Sequence, residues 1–208
     1  MRFLAIFCVS LCLLLALLPL TSCNDKTTKP PDDEGPYLSD TSIPNVLVNL
    51  RTAIVARDST GYADRLAPGF EFVFDPNDVG GDDNIPPSWG RDDDVAAIGS
   101  MFRGKPNHDG YLADSVRLSF QAGEPVPSDD VAQGSMKVLL TAFYIAVDAR
   151  KATSGEQLRY LVEGEQADLY LLQIGGEWRI LKWVDRPIRS KAPATESTTW
   201  GQIKACWR

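Results

Sequence analysis

Between Ile43 and Ile54 the apolar residues Ile43, Val46, Leu47, Leu50 and Ile54 recur at steps of three and four, the period that keeps one face of an α-helix buried. Ser42 stands ahead of this run and Pro44 falls in its first turn, so "TSIPNVLVNLRTAIVARDS" predicts an amphipathic helix. "STGYADRLAPG" predicts a second, short helix ended by Pro68 and Gly69. In "FEFVFDP" the period changes to two, which places Phe70, Phe72 and Phe74 on one side of a strand that Pro76 stops. Residues 75–90 form a turn-rich loop in this reading. "RDDDVAAIGSMF" then returns to helical spacing through Val95, Ile98, Met101 and Phe102, with Asp92 and Asp93 where a helix start favours carboxylates.

The second half predicts strands: "DSVRLSFQAG", "SMKVLLTAFYIAVDA", "EQLRYLVEGEQADLYLLQIG" and "GEWRILKWVDRP". Gly175-Gly176 between two alternating segments signals a tight hairpin, and Gly164 inside a long run marks a bend or bulge. "KVLLTAFYIAV" and "ADLYLLQI" are apolar at both parities, so both faces of the sheet centre should be covered by helices, the tail or a second subunit. In the tail, "ESTTWGQIKACWR", Trp200, Ile203 and Trp207 stand at helical spacing. The tail is expected to dock on the domain over the outer face of the sheet, or else to bind a partner.

The first residues follow another pattern. From Phe3 to Leu20 the chain is almost wholly apolar, with Arg2 ahead and Pro19, Thr21 and Ser22 behind, the layout of a secretory signal. A single membrane-spanning helix is the other reading, since about 18 apolar residues can just cross a bilayer core, but no basic cluster follows to stop transfer. Leu20-Thr21-Ser22-Cys23 resembles the lipobox of bacterial lipoproteins, in which the cysteine sulfur takes lipid and the bond before it is cut. That resemblance implies a signal peptide over 1–22, a lipidated Cys23 and an exported protein held to the bacterial cell envelope by acyl chains. Residues 24–40 are polar and carry prolines, which reads as a flexible tether. A single domain over 41–190 and a tail over 191–208 complete the organisation.

The formal net charge of −7 argues against nucleic acid as a partner, because displacing phosphate counterions needs clustered Lys and Arg. Cys8 and Cys12 leave with the signal and Cys23 is committed to lipid, so Cys206 remains, with no internal disulfide to form. One thiol and one histidine, His108, cannot build a Cys/His metal centre, and His108 sits in a turn-like "KPNHDGY". The acidic loop meets positions one, three and six of an EF-hand through Asp75, Asn77 and Gly80, but Val79 and Pro86 stand where oxygen ligands belong. No cofactor or metal is implied.

The order of elements, with "YADRLAPGFEFVFDP" early and the closing hairpin "ADLYLLQIGGEWRILKWVDRP", resembles the nuclear transport factor 2-like superfamily, which includes SnoaL-like proteins and ketosteroid isomerase. The resemblance runs over roughly residues 43–188. It implies an α+β fold in which a cone-shaped, curved antiparallel sheet wraps around N-terminal helices, a pocket for a small apolar ligand, and a homodimer. Tyr144, Asp148, Asp168, Tyr170 and Asp185 lie on or at the ends of predicted strands. Tyr144, Asp168, Tyr170 and Lys182 are the candidate pocket residues, and no catalytic residue is assigned. The function so implied is a membrane-anchored lipoprotein whose domain binds a small apolar ligand or a protein partner without catalysis. The alternative is a cone-pocket isomerase, cyclase or dehydratase.

Overall fold

The computed structural model describes residues 35–80, 84–186 and 199–208. Helices α1 (Ile43–Ala56) and α2 (Ser59–Arg65) lead into β1 (Leu66–Val73) and the short β2 (Ser88–Gly90), followed by α3 (Arg91–Phe102). Strands β3 (Tyr111–Ala122), β4 (Val126–Pro127), β5 (Met136–Lys151), β6 (Gln157–Ile174) and β7 (Glu177–Arg186) come next, and α4 (Trp200–Cys206) closes the chain. The sheet runs β2-β1-β7-β6-β5-β3, with β4 paired to β5. Its pairs are antiparallel except β1 with β7, which is parallel. This is the α+β class expected, a curved sheet with helices packed into it.

Local chemistry accounts for the elements. Ser42 caps α1 by accepting from the Asn45 amide, and Pro44 sits in the first turn, where its missing N–H costs nothing. Ile43, Val46, Leu47, Leu50 and Ile54 are all buried. The short helix ends at Arg65, earlier than Pro68 suggests, and Leu66 to Gly69 already belong to β1. The irregular register between Leu66 and Glu71 against β7 shows how a strand takes in Pro68 and Gly69: they sit where the ladder is broken. Phe70, Phe72 and Phe74 all face the core.

The bend of the sheet has an identifiable cause. Ala142 in β5 and Gly164 in β6 both take positive φ, 48° and 78°, and both drop out of register at one place, where Phe143 pairs with Glu165 and Tyr144 with Glu163. Facing bulges on adjacent strands increase the local twist and fold the long strands over the helices. At the Gly175-Gly176 hairpin, φ values of 62° and 90° match a turn with both central residues left-handed.

The inner face carries Phe72, Phe143, Ile145, Leu169, Leu171, Ile180 and Trp183 against α1, α3 and α4. The outer face of the central strands is not apolar: it carries ion pairs, Asp168 with Arg186 and Lys137, Lys182 with Glu71, and Asp148 with Arg117 and Arg159. Lys137 also lies over the Tyr170 ring there, as an amphipathic side chain can. The stretch read as tether is held to the domain from Tyr37 onward. Tyr37 donates to Asp58 at 2.6 Å, and the buried Asp40 pairs with Arg179 (2.6 Å) and Arg65 (3.2 Å) and accepts from Asn49 (2.7 Å). Once buried, a carboxylate has to be paired in this way.

Candidate functional site

The α4 helix enters the sheet from the core side rather than covering its outer face. Thr199 and Gln202 form a reciprocal capping box at its start, so the helix carries its own N-terminal hydrogen bonds. Trp200, Ile203 and Trp207 are buried. Trp207 donates to the Lys105 carbonyl at 3.1 Å and its ring meets Tyr160 edge-on. The Cys206 carbonyl accepts from the His108 amide; the thiol residue itself is half-buried and the His108 side chain lies at an exposed turn. Gly201 lies so close to Phe74 that a β-carbon there would come within 2.6 Å of its ring.

The centre of the assembly is Asp94, on the buried face of α3. Its Oδ2 accepts from the Tyr62 hydroxyl of α2 at 2.5 Å, and its Oδ1 accepts from Trp89 Nε1 at 3.0 Å and from the ammonium of Lys204 on α4. Both side chains of the ion pair are fully buried. The ammonium lies 3.1 Å from the Phe72 ring centroid, with Trp89, Trp200 and Trp183 at 5.5, 5.6 and 5.8 Å. Burial pulls the Lys204 pKa down, against the attraction of Asp94. Burial drives the Tyr62 phenol well above its ordinary range, and the neighbouring Asp94 charge adds to the effect.

Two further acids face the same interior. Asp185 accepts from Trp183 Nε1 at 2.8 Å and from the Gly201 amide at 3.0 Å. Burial pushes its carboxyl up to about 7, with Lys204 acting in the opposite sense. Glu165 is pushed up to about 9, first by burial and then by the charge of Asp185, and its Oε1 has no hydrogen-bond partner among the described residues. Asp78, raised by burial, accepts from Thr199 and Gln202. Asp75 takes the Asn77 amide and side chain, each at 2.8 Å. The two described carboxylates of the loop, Asp75 and Asp78, are thus spent on its own turn and on α4. No metal-holding group of three His, Cys, Asp or Glu occurs among the described residues.

The four pocket candidates lie elsewhere. Leu169 and Trp183 face the core, so their neighbours Asp168, Tyr170 and Lys182 point outward. Asp168 meets Arg186 Nε at 2.7 Å and Lys137 at 3.0 Å, Lys137 lies over the Tyr170 ring, and Lys182 holds Glu71 at 2.8 Å. Tyr144, between the buried Phe143 and Ile145, is half-buried on that outer face. Of the strand residues considered, only Asp185 faces inward. Cys23 lies outside the described residues. Asp94, Tyr62, Trp89, Glu165 and Lys204 escaped the sequence reading, although a signal was present. Asp94 shares the stripe of Ile98 and Met101, and Lys204 shares that of Trp200, Ile203 and Trp207; a charge on an apolar stripe needs a partner once that stripe is buried.

An open cleft of about 340 Å³ lies between α1 and the β3–β4 edge, lined by Ile43, Leu47, Val48, Arg51, Phe120 and Pro125 among others. Its volume falls at the lower end for small-molecule sites.

No family model matches the chain, and no curated protein matches it. Solved structures do. A conserved protein from Planctomyces limnophilus aligns with a TM-score of 0.47 and 12% identity, covering 69% of this chain and 91% of its own. A ketosteroid isomerase-like protein from Erwinia carotovora atroseptica gives 0.45 and 13%, over 71% and 95%. A nuclear transport factor 2-like protein of unknown function in nutrient uptake, from Rhodospirillum rubrum, gives 0.42 and 13%, over 71% and 98%. Likenesses of this degree transfer no residue roles, and the α+β arrangement rests on the topology above.

Proposed function

We propose that this chain is a lipid-anchored protein of the bacterial envelope whose domain acts by binding a small apolar ligand or a protein partner rather than by catalysis. Anchoring is supported by the apolar run ahead of Leu20-Thr21-Ser22-Cys23. More than one acyl chain on Cys23 would hold the protein stably, since one alone binds a bilayer weakly. Binding without catalysis is supported chiefly by one observation: both oxygens of Asp94 are occupied by donors of the chain itself, from Tyr62, Trp89 and Lys204. A general base must reach a substrate proton, and this carboxylate has no free approach with α4 in place. The cleft beside Leu47 and Phe120 suits an apolar ligand.

A second reading, a cone-pocket isomerase, cyclase or dehydratase, draws support from Asp185 and Glu165, whose raised pKa values of about 7 and about 9 suit proton transfer near neutrality. It needs α4 to leave the interior. Fractionation of cells producing the wild-type chain and Cys23→Ser, with native mass spectrometry of the purified proteins, tests the proposal. Wild type should sediment with membranes, carry acyl mass and retain a ligand or partner, while the serine variant is released. Unmodified mass and identical sedimentation of the two forms would refute the anchor.

A further inference from the structure

Much of the interior around Lys204 is built without α4. Asp94 is oriented by Tyr62 and Trp89, both from the body of the domain. Phe72 packs against Trp89 and Trp183, each with ring centroids 6.1 Å away, and Phe74 holds Trp89 from the side at 4.7 Å. A carboxylate fixed by two donors and surrounded by aromatic faces is the construction that recognises an ammonium group, because the ring quadrupoles and the anion attract the same charge. The lysine head sits inside this construction, nearer to Phe72 than to any other ring.

Further acidic side chains line the same interior. Asp94, Asp185 and Glu165 all face the interior, and Glu165 keeps a buried oxygen without a hydrogen-bond partner among the described residues. Two cations of the C-terminal segment meet this wall among the described residues: Lys204, and Arg208 over the Trp89 ring at 5.7 Å. Without that segment the wall holds acids and aromatic faces. A neutral apolar molecule could fill the space but would leave Asp94 desolvated and unpaired, the costlier outcome.

We infer that the interior bounded by Asp94, Tyr62, Phe72, Trp89 and Trp183 is a binding site for a primary alkylammonium group, with Lys204 as its resident occupant in cis. The inference rests on the reading that the domain acts by binding, and it names a cationic class of ligand for a place where the fold resemblance implies an apolar one. A free alkylammonium competes with Lys204 for the same carboxylate and rings, so its binding is coupled to release of α4.

The test is chemical rescue in the full chain. Lys204→Ala empties the site, and thermal unfolding is followed with n-butylammonium chloride, n-butanol or sodium chloride at matched ionic strength. The variant should melt below wild type and recover with n-butylammonium, which should bind about tenfold better than n-butanol. Lys204→Met, which refills the volume without charge, should not respond. Equal rescue by the alcohol and the ammonium, or no rescue by either, overturns the inference. If Lys204→Ala does not fold, hydrogen exchange of residues 199–208 in the wild-type chain decides: n-butylammonium should speed exchange there relative to sodium chloride, and equal exchange in both salts overturns the inference. Neither result bears on acylation or sedimentation of Cys23→Ser, so failure here is distinct from failure of the anchored-binding reading.

Discussion

Asp94→Ala is the substitution from which the architecture has most to lose. It leaves the Lys204 ammonium fully buried with aromatic faces as its remaining attraction. Breaking a buried ion pair by deleting one partner costs about 3–5 kcal/mol. The Tyr62 hydroxyl and Trp89 N–H lose their acceptor as well, each at about 1–3 kcal/mol if it finds no other. These terms overlap, so a total on the order of 5 kcal/mol is expected, against a margin of about 5–15 kcal/mol for a whole domain. With a urea dependence of about 1–3 kcal/mol per molar, the midpoint should fall by about 2 M or more.

Equilibrium unfolding of the full chain in detergent, read by tryptophan fluorescence and by far-UV circular dichroism, measures this. Trp89, Trp183 and Trp200 all border the pair, so the fluorescence reports on the site and the dichroism on the fold. Because each single variant strands a charge, Asp94→Asn combined with Lys204→Met should cost clearly less than the sum of its single changes, with a coupling of about 2 kcal/mol or more. An Asp94→Ala protein within about 0.5 kcal/mol of wild type, or strict additivity in the cycle, would refute the reasoning.

Other outcomes follow from the same contacts. Burial raises Asp185 to about 7 and Glu165 to about 9, so both bind protons more tightly folded than unfolded; the stability they contribute is complete below the ordinary carboxylate range and is lost as pH rises through about 7 and then about 9. Asp185→Asn should flatten the first part of that loss, seen as a smaller drop in urea midpoint between pH 5 and pH 8. Gly201→Ala drives a methyl into the Phe74 ring and should destabilise by about 1–3 kcal/mol, less any gain in helix propensity, in thermal unfolding. By contrast, Arg117→Ala touches an exposed pair with Asp148 that Arg159 also serves, and its melting temperature should match wild type.

Elements with a strong local period were open to reading along the chain. The stripe Ile43, Val46, Leu47, Leu50 and Ile54, the alternation of Phe70, Phe72 and Phe74, the Gly175-Gly176 turn and the irregularity at Gly164 all express rules acting over a few residues, and each stands where its pattern puts it. The boundary at Arg65 moved because Leu66 pairs with Ile180 of β7, a partner that lies more than a hundred residues away in the chain.

Which side of each strand faces inward was a different matter. Period two assigns alternate faces without naming the buried one, so Asp168, Tyr170 and Lys182 were as eligible as Glu165 and Asp185 until the helices chose a face. The pair of Asp94 with Lys204 joins residues 110 positions apart. Either charge alone on an apolar stripe looks like a flaw in a helix, and its meaning comes from the opposite charge that folding brings to it. Coulombic pairing and the exclusion of water act through space. Local sequence carried the elements and the class of fold, and packing decided that the interior of the sheet holds a lysine.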